Sequence, residues 1–191
     1  MATVLTPLFD PGEVLDAIER HRCNWGLGLP AMLQFLAAEQ ERHPREARSL
    51  GDWVAGGDSV PLALQERFQR LFGIPLLEGY AMSESVMIAC NRPDTNRPGT
   101  LGIPCAGVEV RVIDFSGNPL PHGEVGELAV RSPGNFMEYW EDPASTASTL
   151  RDGWLLTGDL VRRDPAGYLW FSGRRDATCR KLHRFLTQSQ R

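Results

Sequence analysis

The periodicity of the chain changes near Asn91, and that change limits the architectures open to it. Before Asn91, helix-like stretches alternate with short apolar runs. Asp10-Pro11-Gly12-Glu13 opens a first helix, because Asp10 can cap, Pro11 suits the first helical position and Glu13 completes a capping box. Val14, Leu15 and Ile18 then form an apolar stripe. Trp25 to Leu29 predicts a short strand, and Pro30 opens a second helix with Met32, Leu33 and Leu36 inward. Trp53-Val54-Ala55 predicts a strand ending at Gly56-Gly57. Pro61 opens a third helix with Leu64, Phe68 and Leu71 on one face, and Ile74 to Leu77 predicts the next strand. Such alternation predicts a partly parallel α/β layer. After Asn91 come loop-like segments, Asn91-Arg92-Pro93-Asp94 and Arg97-Pro98-Gly99. Residues 108–114, 124–131, 154–163 and 168–172 are β-type runs separated by turns such as Ser116-Gly117-Asn118-Pro119. The expected fold class is therefore α/β: a layered subdomain over residues 1–104, then a small antiparallel β-barrel-like subdomain over 105–172. Residues 173–191 form a basic tail, expected to be solvated.

Composition narrows the functions. The chain has 191 residues, 42% hydrophobic and 23% charged, which suits a globular domain with a real core. A net charge of -4 gives no footing for nucleic acid as a partner. An anionic ligand would need local positive charge or a metal. Cys23, Cys90, Cys105 and Cys179 form no Cys-x-x-Cys pair and the four histidines are scattered, so free thiols in a reducing compartment are expected rather than zinc. The first residues show no signal-peptide pattern, and no apolar run approaches the ~20 residues of a membrane span. The expected location is the cytoplasm.

Three motifs carry chemistry. In Gly79-Tyr80-Ala81-Met82-Ser83-Glu84 a ring, a hydroxyl and a carboxylate follow one another after an apolar run. Tyr80 can stack on a base where Gly79 lets the backbone approach, or it can be a core tyrosine at a strand end. Ser83 and Glu84 can face phosphates and Mg²⁺, or they can be an N-cap and an acid in a first helical turn. Thr157-Gly158-Asp159 and Gly173-Arg174-Arg175-Asp176 offer an acid and a base that suit ribose hydroxyls, or a turn acid and a surface arginine. A rival lies in Gly26-Leu27-Gly28-Leu29-Pro30-Ala31, which fits a relaxed dinucleotide fingerprint with Asp52 at the expected distance. It has a weak preceding strand and no clear βαβ unit around it. Ser145 to Thr149 lacks the glycines and lysine of a phosphate loop and predicts a polar surface helix after Asp142-Pro143.

From about Phe9 to Asp176 the order of these motifs resembles the AMP-forming adenylating superfamily, acyl-CoA synthetases above all. Gly56-Gly57-Asp58 looks like the family's segment beside adenine. Leu77 to Glu84 looks like its Tyr-Gly-Met-Thr-Glu motif, and Gly126-Glu127-Leu128 through Tyr139-Trp140 looks like the strand that follows. The resemblance implies a nucleotide site of Gly56, Gly57, Asp58, Gly79, Tyr80, Ala81, Met82 and Ser83, with Asp159 and Arg174 on the ribose. It implies Ser83 and Glu84 as catalytic groups, Glu84 as the Mg²⁺ ligand and Asp176 as a hinge. ATP and Mg²⁺ would be used with a small carboxylic acid and CoA as substrates, and the turn of Gly26 to Ala31 with its helix would line the acyl tunnel.

The sequence also departs from the family. Ala81 replaces a usual glycine, and Asp58 puts an acid where a small residue is common. No Gly-rich loop ending in lysine occurs, and the pattern stops after Asp176, before a lid with its own lysine. The expectation is an incomplete ligase of low activity alone, or a non-catalytic nucleotide-binding remnant. Apolar surface left without its partners predicts self-association.

Overall fold

The first helix begins where its capping residues predict. In this computed structural model, which describes residues 3–6 and 8–175, α1 spans Pro11–His21 and Asp10 Oδ1 accepts the Glu13 N–H at 2.9 Å. That bond satisfies one of the amides a helix start leaves unpaired and contributes about 1 kcal/mol. There follow β1 (Trp25–Gly28), α2 (Pro30–Arg42), β2 (Asp52–Ala55), α3 (Leu62–Phe72) and β3 (Leu76–Met82). The three strands pair in parallel, with Gly26 opposite Trp53 and Val54 opposite Leu77.

Parallel neighbours need a crossover, and β1–α2–β2 supplies one. The expectation that no clear βαβ unit surrounds Gly26 is corrected: the short strand expected at Trp25 to Leu29 pairs in parallel with β2 across α2, a long-range pairing that a four-residue strand does not announce. The dinucleotide reading still fails. Gly26 and Gly28 lie inside β1 rather than in the turn after it. A Cβ on Gly26 would fall 2.5 Å from the Trp53 ring, so this glycine makes room for a tryptophan. Asp52 pairs with Trp25 at the N-terminal end of the strands, whereas ligands bind beyond their C-terminal ends.

The helices bury the stripes read from the sequence. Leu15, Leu33, Leu36, Leu64, Phe68 and Leu76 share one core with Trp53. Phe68 meets Trp53 edge-on at 5.6 Å and Phe72 at 4.3 Å between ring centroids. Aromatic contacts of this kind add to the burial term.

Two compact units result. One comprises the chain through Tyr80 with Asn91–Gly99; the other comprises Ala81–Cys90 and the chain from Thr100 onward. In the second unit β4 (Ser85–Cys90) pairs antiparallel with β5 (Ile103–Pro104). This pairing brings the Cys90 and Cys105 sulfurs, separate in sequence, to 3.7 Å as thiols rather than a disulfide. The main sheet has the order β10–β9–β7–β6, built from β6 (Glu109–Ile113), β7 (Val125–Arg131), β9 (Trp154–Arg163) and β10 (Leu169–Arg174). Short β8 (Leu150–Arg151) pairs with β9 after the polar helix α4 (Pro143–Thr149), which Asp142 caps. Every pairing in this sheet is antiparallel. Leu128, Val130, Leu155, Val161 and Leu169 are fully buried. Trp154 is held between the guanidinium groups of Arg111 and Arg131, at 4.2 and 4.4 Å. The fold class is the expected one, an α/β layer followed by an antiparallel barrel-like sheet. Among the described residues no helix is long and apolar enough to cross a membrane.

Candidate functional site

In the first unit the candidate groups gather at the C-terminal ends of the parallel strands, where α/β sheets present ligand sites. β2 ends at Ala55, opposite Glu78, and Gly56 and Gly79 follow. The two backbones approach so closely that a Cβ on Gly56 would lie 2.9 Å from the Gly79 carbonyl oxygen. Gly57 turns the chain at φ 84°. Asp58 is exposed and accepts the Ser59 N–H at 2.7 Å, so its carboxylate shapes the turn. Gly79, Tyr80, Ala81 and Met82 complete β3, with Tyr80 half-buried.

Glu78, one residue before Gly79, was not singled out from the sequence. It is only 6% exposed. Its Oε1 accepts the Gln65 amide at 2.8 Å and the Gly99 N–H at 3.0 Å, and its carbonyl accepts the Asn91 N–H at 2.8 Å. Burial pushes its carboxyl above the ordinary value, against the lowering effect of the Gly99 and Gln65 donors. The available signal was an acid at the end of the apolar run Ile74-Pro75-Leu76-Leu77.

In the second unit Ser83 and Glu84 form the turn between β3 and β4. This corrects the alternative of a helix N-terminus: no helix starts there, because Ser85 goes directly into a strand. The turn is braced by the segment after β7. Ser85 bridges Asn135, the Phe136 N–H donates to the Glu84 carbonyl at 2.8 Å, and the Tyr139 hydroxyl donates to Glu84 Oε1 at 2.8 Å. Glu84 Oε2 accepts no hydrogen bond among the described residues. Burial first, then the bond to Glu84, raises the Tyr139 phenol above its ordinary range.

Asp159 sits where the main sheet breaks register. Between the pairs Glu127–Leu160 and Ala129–Leu156, the single residue Leu128 faces Thr157, Gly158 and Asp159. On the other side the register slips between Phe171 and Gly173, and Asp159 pairs with Arg174. Such bulges re-aim side chains. Gly158 takes φ 70°. Thr157 Oγ1 donates to the Leu128 carbonyl at 2.9 Å and accepts the Asp159 N–H at 3.1 Å. Asp159 is 5% exposed, and its Oδ1 accepts from Arg174 Nη1 at 2.8 Å. The structure thus joins the acid and base that the sequence offered for one sugar. Asp176, the expected hinge residue, lies outside the described residues.

A cavity of about 490 Å³ in this unit is lined by Ile103, Arg111, Trp154 and Arg163 among others, and by none of the candidate residues.

A sequence profile described as "AMP-binding enzyme" matches residues 1–140. The chain belongs to the AMP-binding enzyme family. A feruloyl-CoA synthase from Amycolatopsis sp is 36% identical over 168 residues, which are 86% of this chain and 34% of that protein. The amide bond synthetase McbA from Marinactinospora thermotolerans superposes with a TM-score of 0.81 at 36% identity, over 87% of this chain and 35% of that one. The anthranilate CoA ligase AuaEII, solved with anthranoyl-AMP, gives a TM-score of 0.81 at 29% identity, over 87% of this chain and 32% of that one. The chain therefore spans about a third of the length of these relatives. As a member of that family it shares their fold, and its candidate groups stand on strand ends, a hairpin turn and a bulge.

Proposed function

We infer that this chain carries the nucleotide-holding part of an ATP-dependent carboxylic acid:CoA ligase. The observation that carries the reading is the bulge of β9, which presents a buried Asp159 beside Arg174. A carboxylate can accept from two neighbouring hydroxyls and a guanidinium can donate to the same sugar. In this proposal Gly56, Gly57, Asp58, Gly79 and Tyr80, with Ala81 and Met82, take the adenine. Ser83 takes a phosphate oxygen, and Asp176 belongs to the hinge.

Glu84 is proposed as the protein ligand of Mg²⁺. The ion takes oxygen ligands, keeps several waters and needs few carboxylates, and Glu84 is a braced carboxylate with Oε2 accepting no bond among the described residues. When bound, the ion offsets phosphate charge. Among the described residues no larger cluster of acids, histidines and cysteines offers another place for it.

The proposed reaction has two steps. A substrate carboxylate oxygen attacks the α-phosphorus of ATP, giving acyl-AMP as pyrophosphate leaves. The CoA thiol, losing its proton, then attacks the acyl carbon and AMP leaves. Ser83 and the Asp159–Arg174 pair would position the nucleotide rather than exchange protons, and positioning is itself a large part of such catalysis. A hydrophobic acid is proposed as substrate, from Leu27 (60% exposed) on β1 and Phe35 (63% exposed) on α2 and from the aromatic acids in the relatives' names. The same exposed β1, at the end of its sheet, is proposed as a self-association edge. A cytoplasmic setting is proposed from the cysteine spacing.

Binding of AMP to the chain, followed by ATP–pyrophosphate exchange with a panel of acids, tests the reading. Exchange that Glu84→Ala abolishes is expected. Binding without exchange would mark a nucleotide-binding module instead, and no binding of AMP would sink the proposal.

A further inference from the structure

One buried carboxylate ties together both halves of the proposed ribose pair. Glu127, on β7 at the register shift, is 4% exposed. Its Oε1 accepts the Gly158 N–H at 3.0 Å, and its Oε2 accepts from Arg175 Nη1 at 2.7 Å. Gly158 immediately precedes Asp159, and Arg175 immediately follows Arg174. Gly158 has no partner in the register of either neighbouring strand, so a side chain does for its amide what the ladder does elsewhere.

We propose that Glu127 is a positioning residue that sets the spacing of Asp159 and Arg174 for the ribose hydroxyls of the nucleotide. The role rests on the ribose reading given above. The physical case is geometric. The β9 bulge leaves three residues against one, and without an anchor on β7 such a stretch has several accessible conformations. Thr157 Oγ1 ties the bulge to the Leu128 carbonyl at its start. Glu127 Oε1 ties it at Gly158, and Glu127 Oε2 ties the end of β10 to the same point. A buried carboxylate needs a partner for each oxygen, and both partners found here lie next to the sugar-binding pair. A carboxylate serving the core alone would have no reason to take one partner from each flank of that pair.

Calorimetric titration of the chain with AMP and with 2′,3′-dideoxy-AMP, which lacks both hydroxyls, tests the proposal. Glu127→Gln keeps an acceptor for Gly158 and removes the charge facing Arg175; Arg175→Ala removes the ion pair from the other side. Each is expected to weaken AMP by about tenfold, the size of one charge-assisted hydrogen bond, while leaving dideoxy-AMP affinity unchanged. Equal AMP affinity in the variants overturns the role. So does an equal loss for both nucleotides, which marks a merely structural residue. Failure of the unmutated chain to bind AMP overturns the ribose reading itself, and is told apart because it needs no variant. Should Glu127→Gln fail to fold, Arg175→Ala decides.

Discussion

The Tyr139 hydroxyl donates to Glu84 Oε1 at 2.8 Å across 55 positions of sequence. The bond fixes one oxygen of the proposed metal ligand and leaves Oε2 accepting none among the described residues. Tyr139→Phe is expected to weaken the Mg²⁺ dependence of ATP binding by roughly tenfold, as loss of an orienting partner does, with little change in unfolding midpoint. A magnesium titration of ATP affinity measures it, and an unchanged midpoint for magnesium would count against the brace.

The same pair makes a spectroscopic prediction. Burial first and Glu84 second hold the Tyr139 phenol above its ordinary value of 10.0. In Glu84→Gln the phenol is expected to ionise at lower pH than in the parent, yet still above that value, because burial persists. Ultraviolet titration, read as the difference from Tyr139→Phe, follows it. No movement on removing the charge would mean that the two groups do not interact in solution.

Glu78 predicts a pH dependence of stability. Burial raises its folded pKa above the ordinary 4.5, so the folded chain binds the proton more tightly than the unfolded chain. The stabilisation is fully present below 4.5 and is lost as pH rises through the folded value. Glu78→Gln, neutral throughout and still carrying an acceptor oxygen, is expected to flatten this slope and to be the more stable form above that window. Urea unfolding from pH 4 to 7 provides the comparison; parallel slopes for the two proteins would refute it.

Two glycines are expected to fail for different reasons. Ala at Gly26 meets the Trp53 ring at 2.5 Å and should cost about 1–3 kcal/mol by overpacking. Ala at Gly158 meets nothing nearer than Arg174 Nη2 at 3.8 Å, so only its φ of 70° resists, at about 1–2 kcal/mol. Gly26→Ala should lower stability with AMP affinity intact in the folded protein. Gly158→Ala should lower both. Calorimetry and denaturant unfolding on the two variants separate these outcomes.

Much of the fold was legible because it rests on local chemistry. Asp10 and Pro11 mark a helix start in any context, and the pairs Leu15 and Ile18, Leu33 and Leu36, and Leu64 and Phe68 each recur at helical spacing within one helix. The strand, helix and strand of the βαβ unit were each legible, but their assembly around Gly26 was not, since β1 has four residues, two of them glycine, and the parallel pairing with β2 is a long-range contact. Ser83-Glu84 was open to two readings, because a hydroxyl before an acid suits a phosphate and metal site as well as a helix start, and the hairpin turn that the structure shows was neither. Of the site, Asp159 and Arg174 were found as separate motifs and the structure pairs them. Glu78, Glu127 and Tyr139 were not assigned roles. Each acts through a residue distant in sequence, and a single chain holds no record of such partners.

The bulge in β9 also provides a built-in clock. The Gly158 amide is held by one side chain, Glu127, rather than by a strand. Its exchange with deuterated solvent should therefore follow the opening of that single contact while neighbouring rungs stay protected. An isotope label at one glycine would then report, without any ligand assay, whether the geometry proposed to hold the sugar is intact.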